Sequence, residues 1–95
     1  MTGTTRSSEG LDERRRRLLF RSWHRGTREM DLIMGRFADA TIGTLSDAEL
    51  DAFERLADAP EPVLYAWTTG EEPVAPEHDT PLFRRMREFA RTGPK

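Results

Sequence analysis

The apolar residues of this chain recur at helical spacing, and no stretch alternates with period two. Met30, Ile33, Met34 and Phe37 stand at i, i+3, i+4 and i+7, one face of a 3.6-residue helix with Glu29 in its first turn. Ser46 and Glu49 form a capping box ahead of Leu50, Phe53, Leu56 and Ala57, which predicts a helix running to about Ala59. Pro60 and Pro62 stop that helix, and either can open a short apolar one through Val63, Leu64, Tyr65, Ala66 and Trp67, ending before Gly70. Thr80 caps and Pro81 opens the last helix, whose buried stripe is Leu82, Phe83, Met86, Phe89 and Ala90. The first helix is the least regular. It is expected from Leu11 to Arg25 with Asp12 and Glu13 in its first turn, yet Leu11, Leu18, Leu19, Phe20 and Trp23 make no single stripe. Gly26 is placed to close it in the left-handed conformation. The expected fold is an all-α, small five-helix bundle over residues 11–91, with disordered tails at 1–10 and 92–95.

Composition narrows this further. Ninety-five residues make one domain with a thin core, and about 65% of the chain's surface is hidden on folding. Such a chain has little room for a substrate cleft, and it carries no phosphate-binding glycine loop. It has no cysteine, which excludes disulfides, thiol nucleophiles and thiolate zinc sites. His24 and His78 lie in different segments without a second ligand at helical spacing, so no metal is expected. No apolar run reaches the roughly 18 residues of a membrane span. The first ten residues lack a secretory apolar core. A bacterial-type cytoplasm is the expected address.

The net charge of -2 hides three blocks. Residues 1–37 carry nine Arg and five acids, net +4. Residues 38–79 carry one Arg and eleven acids, net -10, and residues 80–95 return to +4. Such blocks either pair internally or form opposite faces. The run Arg14–Arg17 covers most of a helix circumference, as a solvated face with snorkelling stems or as a contact for an acidic protein surface. Phosphate contact by this run is the basis of an alternative function, a small helical nucleic-acid-binding module, which the acidic middle block opposes.

Arg25-Gly-Thr-Arg-Glu29 has two readings. Capping of a helix–helix turn explains its residue types. The same turn also holds two exposed ionic groups, Arg25 and Glu29, on a stiff support, as recognition of a partner requires. Tyr65 and Trp67 stand two apart on one helix and cannot both face the core. Trp67 is expected inside and Tyr65 at a partner contact.

The stretch RRLLFRSWHRGTREMDLIMGRFAD resembles the small flavinylation, or FAD-assembly, factors of succinate dehydrogenase. Their hallmark R-G-x-x-E turn is matched by Arg25, Gly26 and Glu29, followed by Met30-Asp31-Leu32. The resemblance continues through Leu45-Ser46-Asp47 and Leu64-Tyr65-Ala66-Trp67 and covers about residues 12–91. It departs at Ala59-Pro60-Glu61-Pro62, where relatives have an acidic-Pro-acidic lead, and in a longer, more acidic loop at 70–79. The resemblance implies five helices and a chaperone-like assembly role, with no active site of its own. The partner is the flavoprotein subunit of succinate dehydrogenase, and in bacteria also of fumarate reductase. FAD becomes covalently attached to a histidine of that subunit, so His24 and His78 gain no role, and no cofactor is stably bound by the factor itself. The implied contact residues are Arg25, Gly26 and Glu29, with Arg28, Asp31 and Tyr65 beside them. The free protein is expected to be a monomer, without membrane insertion.

Overall fold

The computed structural model describes residues 10–92, so the expected tails at 1–10 and 92–95 lie outside the described residues except for Gly10 and Thr92, and Thr92 is the last residue of the final helix. Five α-helices follow in order: α1 (Glu13–Ser22), α2 (Arg28–Thr41), α3 (Asp47–Ala57), α4 (Glu61–Thr69) and α5 (Pro81–Thr92). A single 3₁₀ turn, Pro76–His78, interrupts the acidic loop before α5 and was not foreseen. The described residues contain no strand. The all-α, five-helix expectation holds.

Local chemistry explains most boundaries. Asp12 is the N-cap of α1, not a first-turn residue, and its carboxylate accepts from Arg15 N at 2.9 Å. Thr27 caps α2, and Ser46 with Glu49 completes the expected capping box of α3. Pro60 is the N-cap of α4, with Pro62 in its first turn. Gly70, with φ +85°, closes it in the left-handed conformation.

The end of α1 differs from expectation. The helix stops at Ser22 with Trp23 as C-cap, three residues short of Arg25. Thr27 must be extended to cap α2, at φ -127° and ψ 149°, so the chain has to leave α1 early. Arg25 N then donates to the Asp31 carboxylate at 2.6 Å and not to an α1 carbonyl. Gly26 does take a positive φ, +111°, but as the crest of the connecting turn and not as the residue closing the helix.

The core is one cluster. Leu18, Leu19 and Trp23 of α1 meet Met30, Met34 and Phe37 of α2, Leu50, Phe53 and Leu56 of α3, Leu64 and Trp67 of α4, and Leu82, Phe83 and Met86 of α5. Helix α1 lies on α2 and α3, and α5 closes the other side against α2, α3 and α4. Phe37 stands edge-on to Phe53 and Phe89, with centroids 5.6 and 5.7 Å away. Ala90, expected in the buried stripe of α5, is exposed, and the half-buried Phe89 ends that stripe. Trp67 is buried as expected, and His78 of the 3₁₀ turn packs beside it at 5.2 Å. Trp23 lies flat on Gly35, and its indole N–H donates to Asp39 at 3.1 Å.

The charge blocks pair internally. Arg14 bonds both Asp51 and Glu54 of α3, and Arg21 reaches Asp58 at 2.6 Å. Arg85 of α5 takes Glu49 at 3.0 Å. Arg15 donates to the carbonyls of Ile42 and Leu45, tying α1 to the α2–α3 connection. The basic ends of the chain thus clasp its acidic middle. The hydrogen bonds from Arg14 hold the Glu54 carboxyl below its ordinary value. Glu49 is lowered as well, first by the Ser46 amide and then by Arg85.

Two predictions follow from this packing. A methyl group added at Gly35 would fall inside the Trp23 ring, and that buried indole has nowhere to retreat. Overpacking outweighs the gain in helix propensity, so Gly35→Ala should destabilise by about 1–3 kcal/mol in urea unfolding. Glu49 and Glu54 have folded-state pKa values below their ordinary 4.5, so their stabilisation is complete above that value and is lost as pH falls below it. Unfolding midpoints should drop between about pH 5 and about pH 3, and Glu54→Gln should show a smaller drop than the parent.

Candidate functional site

Two turns meet at one end of the bundle. Arg21 in the last turn of α1 bonds Asp58 just past α3. Arg25 in the α1–α2 turn donates to the carbonyls of Ala57 (2.5 Å), the last residue of α3, and Ala59 (3.2 Å) in the α3–α4 turn. Thr27, the cap of α2, donates its hydroxyl to Glu61 Oε2 at 2.7 Å in the first turn of α4. These bonds weld the start of α2 to the start of α4.

The weld corrects the reading of Arg25 as an exposed group. Its side chain is 9% exposed and points into the joint, with Nη2 3.3 Å from Glu61 Oε1. That pair is close but not aligned for a hydrogen bond, and Arg25 Nε and Glu61 Oε1 are both left without one. The carbonyl of Ala57 at the end of α3 and that of Ala59 in the turn after it need a donor, and a planar guanidinium spans both of them. Arg25 builds the surface and is not displayed on it.

The other motif residues separate just as clearly. Glu29 and Arg28 are exposed and bond no described residue. Asp31 is half-buried and holds the Arg25 amide. Gly26 is exposed, and a Cβ built there would meet nothing within 4 Å. Its constraint is the backbone, since φ +111° strains any L side chain. Tyr65 is exposed, at 38%, as the sequence suggested.

Between the two helix starts lies an open cleft of about 310 Å³, lined by Thr27, Glu29, Glu61, Pro62 and Tyr65. The structure therefore brings Glu29 and Tyr65 to one recess, although 36 positions separate them in the chain. Thr27, Glu61 and Pro62 escaped the sequence reading. A cap position two residues before Glu29 and a Pro-bracketed acid at a helix start were the available signals. Two carboxylates over an apolar wall suit a cationic or amide group carried on an apolar stem. No group of three or more metal-ligating side chains occurs among the described residues.

The sequence model of a family described as "Flavinator of succinate dehydrogenase" matches residues 16–90, from the α1 Arg run to the end of the α5 stripe. The chain belongs to this flavinator family. A relative from Acetobacter pasteurianus named "FAD assembly factor SdhE" is 41% identical over 85 residues, covering 90% of this chain and 78% of its own. "Succinate dehydrogenase assembly factor 2, mitochondrial" of Scheffersomyces stipitis is 38% identical over 74 residues, covering 78% of this chain and 50% of its own. The protein of the same name from Danio rerio is 30% identical over 88 residues, covering 90% of this chain and 56% of its own. The flavinator chain thus spans most of its bacterial relative and about half of these mitochondrial ones. None of these names supports the nucleic-acid alternative, and the structure undercuts its basis. Arg14 and Arg15, half of the Arg run, are engaged with α3 and the α2–α3 connection. No helix among the described residues is long and apolar enough to cross a membrane.

The flavinator motif therefore has a structural half and a displayed half, and stability measurements should separate them. Arg25→Ala strands the carbonyls of Ala57 and Ala59 and removes the counter-charge of Glu61. It should cost about 2–3 kcal/mol in thermal or urea unfolding. Glu29→Ala removes a group with no described partner and should leave the midpoint within about 0.5 kcal/mol of the parent.

Proposed function

We propose that this chain is an assembly factor that docks on the flavoprotein subunit of succinate dehydrogenase and promotes covalent attachment of FAD to a histidine of that subunit. The observation that carries this reading is the cleft. Glu29 of the R-G-x-x-E turn and Tyr65 of the aromatic helix, the two displayed residues of the family pattern, line one recess on a rigid joint. Family membership supports the choice of client, and the shared recess supports this contact face.

Docking acts by differential binding. The factor would favour the arrangement of the subunit in which flavin and acceptor histidine are in reactive geometry. Glu29 makes a charged hydrogen bond to the client, with Arg28 beside it, and Tyr65 covers apolar surface. Gly26 keeps the turn free of a side chain where the client comes close. Arg25 and Asp31 act through the shape of the turn. On this reading the protein is a chaperone and not an enzyme, and FAD belongs to the client with no stable site here. It works as a monomer in the bacterial cytoplasm, and the flavoprotein subunit of fumarate reductase is a second client.

The test is covalent flavin on the client, read as in-gel fluorescence after denaturation, with and without this protein. Glu29→Ala and Gly26→Arg should each abolish the factor-dependent signal while the helical circular dichroism stays nearly intact. Full flavin loading with both variants would remove this turn from the functional surface.

A further inference from the structure

The described residues leave three large hydrophobic side chains exposed: Phe20 at 63%, Val63 at 41% and Tyr65 at 38%. Tyr65 lines the cleft, and Val63 lies two residues before it on the same helix, α4. Phe20 stands apart on α1, is the most exposed of the three, and is not used by the docking face described so far.

Its surroundings are organised. The Phe20 ring stacks on His24, with centroids 3.9 Å apart and 14° between the planes. His24 Nδ1 lies 2.7 Å from Phe20 O, and since a carbonyl can only accept, Nδ1 is the donor of this hydrogen bond. The imidazole is therefore pinned in place, and the two rings form a fixed flat platform. One turn earlier on the same face, Arg16 and Arg17 are exposed. Arg16 donates to the Leu11 carbonyl at 2.6 Å, and among the described residues Arg17 holds only the neighbouring Glu13 at 3.0 Å, an exposed pair that exchanges partners at little cost. The platform has an apolar centre and a cationic rim.

We infer that the Phe20–His24 platform is a second contact surface for the same flavoprotein client, taking an apolar side chain flanked by carboxylates. The inference rests on the docking reading above. Continuity supports it: Arg21, next to Phe20, bonds Asp58 at the α3–α4 turn, and His24 leads directly into Arg25. Platform and cleft thus share one end of the bundle. Charge sets the chemistry of the occupant, because a rim of Arg16 and Arg17 is complemented by Asp or Glu. A second copy of this chain fits poorly, since a two-fold contact would bring the same cationic rims together. A nucleic-acid strand could stack on such rings, but the neighbouring Arg14 and Arg15 are already engaged inside the protein.

Titration of the purified flavoprotein subunit with the full chain tests this, comparing the parent with Phe20→Ala, Phe20→Glu, Phe20→Tyr and Glu29→Ala. Phe20→Ala should weaken binding by about tenfold or more, the scale of an aromatic anchor. Phe20→Glu should weaken it further, and Phe20→Tyr should bind like the parent. The ring is largely in solvent, so all three should keep the parent's circular dichroism and thermal midpoint. If the Phe20 variants bind like the parent and Glu29→Ala does not, the platform is no contact and the docking reading stands. If Glu29→Ala also binds like the parent, the docking reading fails and takes the platform with it. Self-association of the free chain lost in Phe20→Ala would assign the platform to a second copy. Retention of a labelled single-stranded oligonucleotide lost in that variant would assign it to nucleic acid. Either result overturns the inference.

Discussion

Everything displayed at the end of the bundle that holds the R-G-x-x-E turn depends on one buried guanidinium. Arg25 leaves the α1–α2 turn and meets the α3–α4 turn, where the carbonyls of Ala57, the last residue of α3, and of Ala59 have no helical donor. Burying an arginine costs several kcal/mol unless its donors and its charge are met. Here the carbonyls of Ala57 and Ala59 take two donors, and Glu61 stands 3.3 Å away as counter-charge. The pairing is incomplete, because Arg25 Nε and Glu61 Oε1 lack hydrogen bonds. A hydrophobic joint could close the same gap more cheaply, but it would not bring Glu61 to Thr27 or fix the start of α4 against the start of α2. The ion pair sets a register between two turns, and the cleft is the space that register leaves.

The same logic runs along the whole chain. Most charge pairs here are partly solvated, and individually they contribute little. Their distribution matters more than their sum. Arg14, Arg15, Arg21 and Arg25 tie the first helix and turn to the acidic middle, and Arg85 ties the last helix to it. A thin core in a short chain leaves helix ends loosely determined, and these long-range ties determine them. Near-neutral net charge is the consequence of a basic clasp around an acidic centre. Arg28 and Glu29 lie outside that clasp, exposed and bonded by their side chains to no described residue.

The helices with complete signals were legible in sequence. Helix α3 had its capping box, α2 its single stripe, and α5 its Thr-Pro start, and each forms where the pattern placed it. Helix α1 was harder, because four consecutive Arg obscure which face is buried. Phe20 therefore could not be told from a core residue, although Leu18, Leu19 and Trp23 fill the face toward α2 and α3 and leave it outside. At the site, spacing located the motif but not the direction of its side chains. Arg25 and Glu29 are both ionic and four apart, yet one is buried by contacts more than 30 positions away in sequence. Only tertiary structure supplies that information. The cleft was illegible for the same reason, since Glu61 and Pro62 become its wall through the Arg25 joint.

This division within the motif bears on how a small protein can act on a larger one. Fixing a loose turn on binding would cost about 0.5–1.5 kcal/mol for each side chain immobilised. In this chain that cost is met during folding. Asp31 holds the Arg25 amide, Arg25 holds the next turn, and Thr27 holds Glu61, so Glu29 stands on a frame that is already set. Gly26 completes the frame by taking a backbone conformation that other residues resist, with open space in front of it. A rigid face of this kind discriminates between arrangements of a client, because it cannot adapt to all of them equally well. A ligand shifts an equilibrium only by its difference in affinity for the two states. Stiffness at the joint is therefore the property that would let docking select one arrangement of the client, and Arg25 contributes to recognition by remaining out of reach.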